Sequence, residues 1–302
     1  RSIQLLASLK RDIEGQPHMG DLEVPTPQQA ADIASHLKRL AGMESAPRVT
    51  LNNYIDALVG YRGTNNYLAD CEAGVQASGI NCDLSDLLNP RGMGRAFINS
   101  LIVTVPATIL PILFAAFAGY AFAWLDFKGR YWLFAILVGL QVIPLQMTLV
   151  PISRLYAQLG LNGTFLGVWL FHTGFGMPYS IYLMRNFLGT LPRDLFESAY
   201  LDGASHWTAF HKLALPLAMP AVAALAIFQF LWVWNDLLVA LVFLGGNNPV
   251  MTYQISNMVS SLGAGWHLLT ASAFLSMILP MIVFFAFQRY FVRGMLAGAV
   301  KG

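Results

Sequence analysis

Seven polar or ionisable side chains interrupt long apolar runs: Gln141, Gln146, Arg154, His172, Gln229, Asn235 and Asp236, with Trp234 beside the last two. Such groups are expensive in hydrocarbon and mark pathways in membrane proteins. Amides, a carboxylate and an aromatic ring suit a hydroxylated solute. Gln141, Gln146, Trp234, Asn235 and Asp236 are therefore the candidate pathway residues. The competing use of buried amides is hydrogen bonding between helices. His172 has no partner ligand at helical spacing, so packing is expected of it and no metal site is expected. Catalytic motifs are absent: no G-x-x-x-x-G-K-[ST] phosphate loop, no H-E-x-x-H and no C-x-x-C.

The elements that must position these groups are apolar helices. Of 302 residues, 56% are hydrophobic and 11% charged, against roughly 25% charged in soluble domains. A net charge of +2 gives no footprint for nucleic acid. Residues 1–95 hold 20 of the 34 charges and form a polar region; residues 96–302 form a membrane domain. Spans are expected near 97–125, 131–156, 164–186, 217–244 and 268–290, each long enough for a ~30 Å core. Their prolines call for neighbouring helices that satisfy the freed backbone groups. Gln28–Leu40 has helical spacing in the polar region.

Lys and Arg in short loops set the orientation. Lys128 and Arg130, then Arg185, Arg193 and Lys212, then Arg289, Arg293 and Lys301 fall on one side, which is the cytoplasmic one. Loops 157–163 and 245–267 carry none, and Arg154 is the exception. Residues 1–95 are thus expected outside. Cys71 and Cys82, the only cysteines, lie there, and an oxidising exterior favours a disulfide between them. An outside region needs a preceding span or signal, and the chain opens on Arg1 with no signal pattern, so one more span is expected upstream.

Between the third and fourth spans lies an amphipathic island, Leu191 to Pro216. Pro192 can open a helix, Asp194 and Glu197 favour its positive end, and Gly203 can close it in a left-handed conformation. Ser205 can cap a second helix with Trp207 and Phe210 on one face, and Pro216 starts the next run. A helix lying flat on the membrane is the plainer reading of such a segment.

The island resembles the loop of permease subunits of binding-protein-dependent ABC importers. That loop reads EAA, three residues, Gly, nine residues, a large aliphatic, any residue, Leu-Pro. Here Glu197-Ser198-Ala199 precede Tyr200-Leu201-Asp202 and Gly203, and Leu213-Ala214-Leu215-Pro216 follow nine residues later. Ser198 for Ala is the one departure. Asp202-Gly203-Ala204, Asn99-Ser100, Tyr120 to Ala123 before Phe127 to Arg130, Trp234-Asn235-Asp236, and the ending from Gly294 are similar to the carbohydrate branch, as is Val49 to Tyr54. The polar segment between Tyr61 and Pro90, which typical members lack or shorten, points toward the maltose/α-glucoside members.

The resemblance implies an all-α polytopic fold of the type I importer permease, multi-pass in a bacterial inner membrane. It implies a second permease, two ATPase subunits that hold ATP and Mg, and an external sugar-binding protein. The chain itself would bind no cofactor and catalyse nothing. Glu197, Ser198, Ala199, Asp202, Gly203, Ala204, Trp207, Phe210 and Pro216 would couple it to the ATPase. A secondary transporter would need internal repeats and coupling-ion carboxylates; no repeat is seen, and Asp236 is the one acid in the five runs. An ABC importer of a non-sugar solute stays as the alternative.

Overall fold

The computed structural model describes residues 51–61, 66–74, 80–259 and 266–299. The expected Gln28–Leu40 helix and most of the polar region lie outside the described residues. Among the described residues there is no strand.

Two short helices, α1 (Leu51–Val59) and α2 (Tyr67–Glu72), and a 3-10 turn at Leu84–Leu88 precede the first long helix. A disulfide joins Cys71 to Cys82. The loop that carries Cys82 is organised by the Asp86 carboxylate. It accepts from the N–H of Cys82 at 2.8 Å, from that of Asn81 at 3.0 Å and from the Tyr67 hydroxyl at 3.0 Å. Burial pushes this carboxyl up, but the donors outweigh burial and hold it below its usual range.

The apolar runs form α3 (Met93–Trp124), α4 (Arg130–Leu140), α5 (Leu145–Leu159) and α6 (Phe165–Leu188). After the island's α7 (Arg193–Leu201) come α8 (His206–Trp234), α9 (Leu238–Phe243), α10 (Met251–Val259) and α11 (Trp266–Ala299). Helix α3 is central: it packs along α6 on one side and α8 on another. Helix α11 covers α8 and reaches α1. Small residues allow the close α3–α6 approach. A Cβ at Gly119 would come within 2.7 Å of the Met184 Cβ, so only glycine fits there.

Among the described residues, three single helices are long and apolar enough to cross a membrane: α3, α8 and α11 over Trp266–Gln288. Helix α6 has the length, 24 residues, but carries His172, Thr173 and Ser180. The expected 131–156 span needs correction as a single helix. It is two helices, α4 and α5, bent by 97°. The turn tightens first, with Gln141, Val142 and Ile143 N–H each bonding three residues back. Pro144 then holds an extended ψ of 129°, where it has no N–H to continue the ladder. The expected 217–244 span also breaks, at residues 235–237.

Elsewhere prolines stay inside helices, and for three of them the freed carbonyl finds a donor on another helix. A proline leaves the carbonyl four residues back without its partner. Pro106 frees Ile102, whose carbonyl accepts from Trp169 Nε1 at 2.8 Å. Pro111 frees Ala107, which accepts from Gln229 Nε2 at 3.2 Å. Pro280 frees Ser276, which accepts from Trp234 Nε1 at 3.0 Å. These three bonds tie α3 to α6, α3 to α8, and α8 to α11. By contrast, α4 has no buried residue and meets α6 only through half-buried side chains such as Phe134, so the chain at Pro144 is less tightly held.

Candidate functional site

Two places hold the candidate residues, and one helix joins them. The first is the island. Helix α7 ends in a Schellman turn: Gly203 N–H reaches the Tyr200 carbonyl at 3.0 Å, and Ala204 N–H reaches Ala199 at 2.9 Å. That geometry needs a left-handed residue, and Gly203 supplies φ +84°. Ser205 Oγ then accepts the Thr208 N–H at 3.2 Å and starts α8.

The island is anchored to the Trp124 end of α3. Phe196 is fully buried and stacks on Trp124 at 3.9 Å. The Tyr200 hydroxyl lies 3.2 Å from that of Tyr120 and 3.0 Å from His206 Nδ1. Phe210 is 4% exposed, packed on Phe117 and Tyr120 with ring centroids 5.0 and 5.2 Å away. Trp207 and Phe210 share a face, as expected, and both pack on Phe117, but they differ in burial. Phe210 turns into the core cluster and offers nothing to a partner, whereas Trp207 is 63% exposed. Glu197, Ser198, Asp202, Leu195 and Leu201 are exposed as well, and Ala199 and Ala204 are half-buried.

Pro216 opens the apolar run as expected, and it does so inside a continuing helix. The chain runs helically from His206 to Trp234, with a π turn over Phe210–Ala214 just before the proline. There Leu215 N–H reaches back five residues to the Phe210 carbonyl. The wider turn takes up the missing Pro216 N–H without breaking the axis. At ~1.5 Å per residue, the 29 residues make a rod roughly 43 Å long.

The second place is the far end of that rod. A cavity of about 590 Å³ opens there, lined among others by Gln141, Gln146, Phe175, Trp232, Asn235 and Asp236. Both interruptions of the apolar runs, at 141–144 and at 235–237, border it. The α8 break has a local cause. Asn235 Nδ2 donates to the Leu231 carbonyl at 2.8 Å, and Asp236 Oδ1 accepts the Val239 N–H at 2.9 Å. These side chains close one helix and open the next, in competition with the backbone ladder.

Trp234 does not join the other four pathway candidates. It is 4% exposed, held between Phe97 and Phe230, and its N–H goes to Ser276. Trp232 lines the cavity in its place. The spacing carried that signal, since positions 232, 235 and 236 share a helix face at i, i+3 and i+4, and 234 does not. Phe175 had no such signal. His172 is buried, with its ring perpendicular to Trp232 at 5.2 Å. Gln229 is taken up by Ala107, and Arg154 is exposed on α5. Among the described residues no group of His, Cys, Asp and Glu could hold a metal ion.

Residues 96–297 match the family model described as "Binding-protein-dependent transport system inner membrane component". The chain is 62% identical over 218 residues to the "Osmoprotective compounds uptake permease protein GgtD" of Synechocystis sp., covering 72% of this chain and 73% of that one. It is 55% identical over 225 residues to the "Alpha-glucoside transport system permease protein AglG" of Rhizobium meliloti, covering 72% and 59%. It is 32% identical over 207 residues to the "Arabinooligosaccharides transport system permease protein AraQ" of Halalkalibacterium halodurans, covering 68% and 74%. The fold is similar to a chain of a solved bacterial ABC transporter involved in the import of the acidic polysaccharide alginate. The TM-score is 0.54 at 20% identity, over 89% of this chain and 100% of that one.

Proposed function

The chain belongs to the binding-protein-dependent transport system inner membrane components, and on that premise we propose that it is one permease half of an ATP-driven importer for an α-glucoside-type sugar. As a member of that family it is a multi-pass protein of the inner membrane and a transport subunit. The functions for which its relatives are named support a sugar or another small osmoprotective solute. A second permease, two ATPase subunits and an external binding protein complete the assembly in this reading. Residues before α3, with the disulfide, face outward, and the island and the C-terminus face the cytoplasm.

The observation that carries the reading is the unbroken helix from the island to the cavity. The exposed Glu197, Ser198, Asp202, Leu201 and Trp207 dock on the ATPase, with Gly203 as the corner between the two short helices. ATP binding closes the ATPase pair and moves the island. Because Phe196 and Phe210 bind the island to α3, and α8 continues from it, the motion reaches the cavity as a rigid-body tilt. No bond in the solute is made or broken, so the chain needs positioned hydrogen-bonding groups and no nucleophile.

The test is uptake by the complete complex in proteoliposomes, with the external binding protein added. Labelled methyl α-glucoside or sucrose should accumulate only with ATP on the ATPase side. Uptake driven by an ion gradient without ATP would overturn the importer reading. A second reading has one observation behind it: an indole beside a carboxylate, Trp232 and Asp236, also suits a quaternary ammonium solute. Accumulation of glycine betaine in place of glucoside would favour it.

A further inference from the structure

We propose that the cavity between the two helix breaks is a saccharide subsite of this subunit, with Trp232 as its stacking face and Gln141, Gln146 and Asn235 as its hydrogen-bonding rim. The proposal rests on the sugar-importer reading above and adds where this chain holds the solute. Four observations carry it.

The first is the backbone. Irregular backbone inside an apolar run is tolerated where it lines water or is buried in protein. Two separate runs break here, at 141–144 and 235–237, and both breaks border one cavity. The chain thereby presents turns and half-helix ends to a single wet space. The second is size. About 590 Å³ lies within the ~300–1,000 Å³ of small-molecule sites.

The third is the chemistry of the lining. A pyranose has an apolar face of C–H bonds and a rim of hydroxyls. Trp232 and Phe175 offer aromatic surface, and Gln141, Gln146 and Asn235 offer amides, each both donor and acceptor. Gln141 and Gln146 give their side-chain amides to no other described residue and are exposed to the cavity space. Asn235 has its Nδ2 committed to Leu231, which fixes the direction of its carbonyl oxygen.

The fourth is preorganisation. Trp232 is 37% exposed, and its ring plane is set by the buried His172 standing perpendicular to it at 5.2 Å. Trp234, two residues on, is buried and tied to Ser276. The pair shows that Trp232 is not simply core, because the same helix end already has a packing tryptophan. His172 acts through Trp232 as a positioning residue and touches no solute. A rigid ring with a fixed rim loses little entropy on binding.

The test uses the whole complex in proteoliposomes with methyl α-glucoside, sucrose and trehalose as probes. Both native cysteines of this chain are in the disulfide, so Gln146→Cys introduces its one reactive thiol. A sugar that the vesicles transport should slow methanethiosulfonate labelling of that thiol at least threefold, read by mass on this chain. A sugar they do not transport should leave the rate unchanged. In parallel, Trp232→Ala should raise the KM for uptake about tenfold, with Trp232→Phe within threefold of the parent. Trp132→Ala, an exposed aromatic away from the cavity, should leave KM unchanged. Labelling at the same rate with and without a transported sugar would overturn the subsite, whatever becomes of the Trp232 variants. So would an unchanged KM in Trp232→Ala. If the parent complex transports none of the probes, the sugar reading fails first and takes the subsite with it, which the variants are not needed to see.

Discussion

The two ends of α8 meet the same problem, an interrupted helical ladder, and resolve it in opposite ways. At the island end, Pro216 removes an N–H, and the helix continues through a π turn. Phe210, Ala214 and Ala218 are buried there against the core cluster and hold the axis straight. At the cavity end no proline intervenes, yet the helix stops. Asn235 and Asp236 offer the backbone other partners, and their outer sides face open space. One end therefore keeps a packed, continuous axis and the other exposes polar groups. A missing hydrogen bond does not by itself end a helix; what decides is whether packing holds the axis while the ladder is repaired.

This contrast can be broken most forcefully at the island end. Phe210→Ala should destabilise the protein by about 3–5 kcal/mol, as for a buried aromatic truncated in a core. Trp207→Ala, two-thirds exposed, should cost about 1 kcal/mol or less, the worth of its stacking on Phe117. Thermal unfolding of the purified protein reads the first, and ATPase co-purification reads the second, which should fall only in Trp207→Ala among variants of normal stability. Equal behaviour of the two variants would remove the distinction between anchor and docking face.

At the cavity end the sharpening pair is Trp234→Phe against Trp232→Phe. The first leaves the Ser276 carbonyl, already deprived by Pro280, without a donor, and should cost about 1–3 kcal/mol. The second loses no such bond and should keep parental stability in the same melting assay. A similar effect from each would mean that the donor bond does not hold α8 to α11.

Gly203→Val addresses the corner that joins the island's two helices. A Cβ there meets nothing within 4 Å, so the strain is conformational alone, on the order of 1–3 kcal/mol for a β-branched residue at positive φ. The spans should insert normally, while sugar uptake drops tenfold or more and the ATPase subunits leave on detergent extraction. Gly203→Asn should be milder, since Asn tolerates the left-handed region. Normal uptake with a bound ATPase in the Val variant would reduce the island to a connector.

A small effect on stability is expected at Asp236. Replacement by Leu removes the acceptor for Val239 N–H and should cost about 1 kcal/mol, whereas Asn, an equally good cap, should cost close to nothing. If Asp236 faces the solute, Asp236→Asn changes the KM for uptake with the melting temperature unmoved. An unchanged KM in that variant would leave Asp236 as a helix cap only.

Much of this was legible in residue types and spacing. Gly203 and Ser205 are the residues a helix end and a helix start require, and the structure uses them so. Gln141, Gln146, Asn235 and Asp236 stood out because polar groups are rare in apolar runs, and they meet at one cavity. Trp234 stood out for the same reason and went elsewhere. Its N–H answers a carbonyl that Pro280 freed 42 residues away from it in the chain, and no local pattern pairs those two positions.

Local chemistry acts over a few residues, and within that range the sequence alone determined the outcome: which runs are apolar helices, where the island turns, and which groups are too polar for lipid. Whether a proline breaks a helix was decided in three dimensions. Pro106, Pro111 and Pro280 have Trp169, Gln229 and Trp234 beside them, and their helices run on. Pro144 lies between α4, which buries none of its side chains, and α5, and the chain turns by 97°. A donor on a neighbouring helix satisfies the carbonyl that a proline frees, and only the folded chain brings such donors within reach.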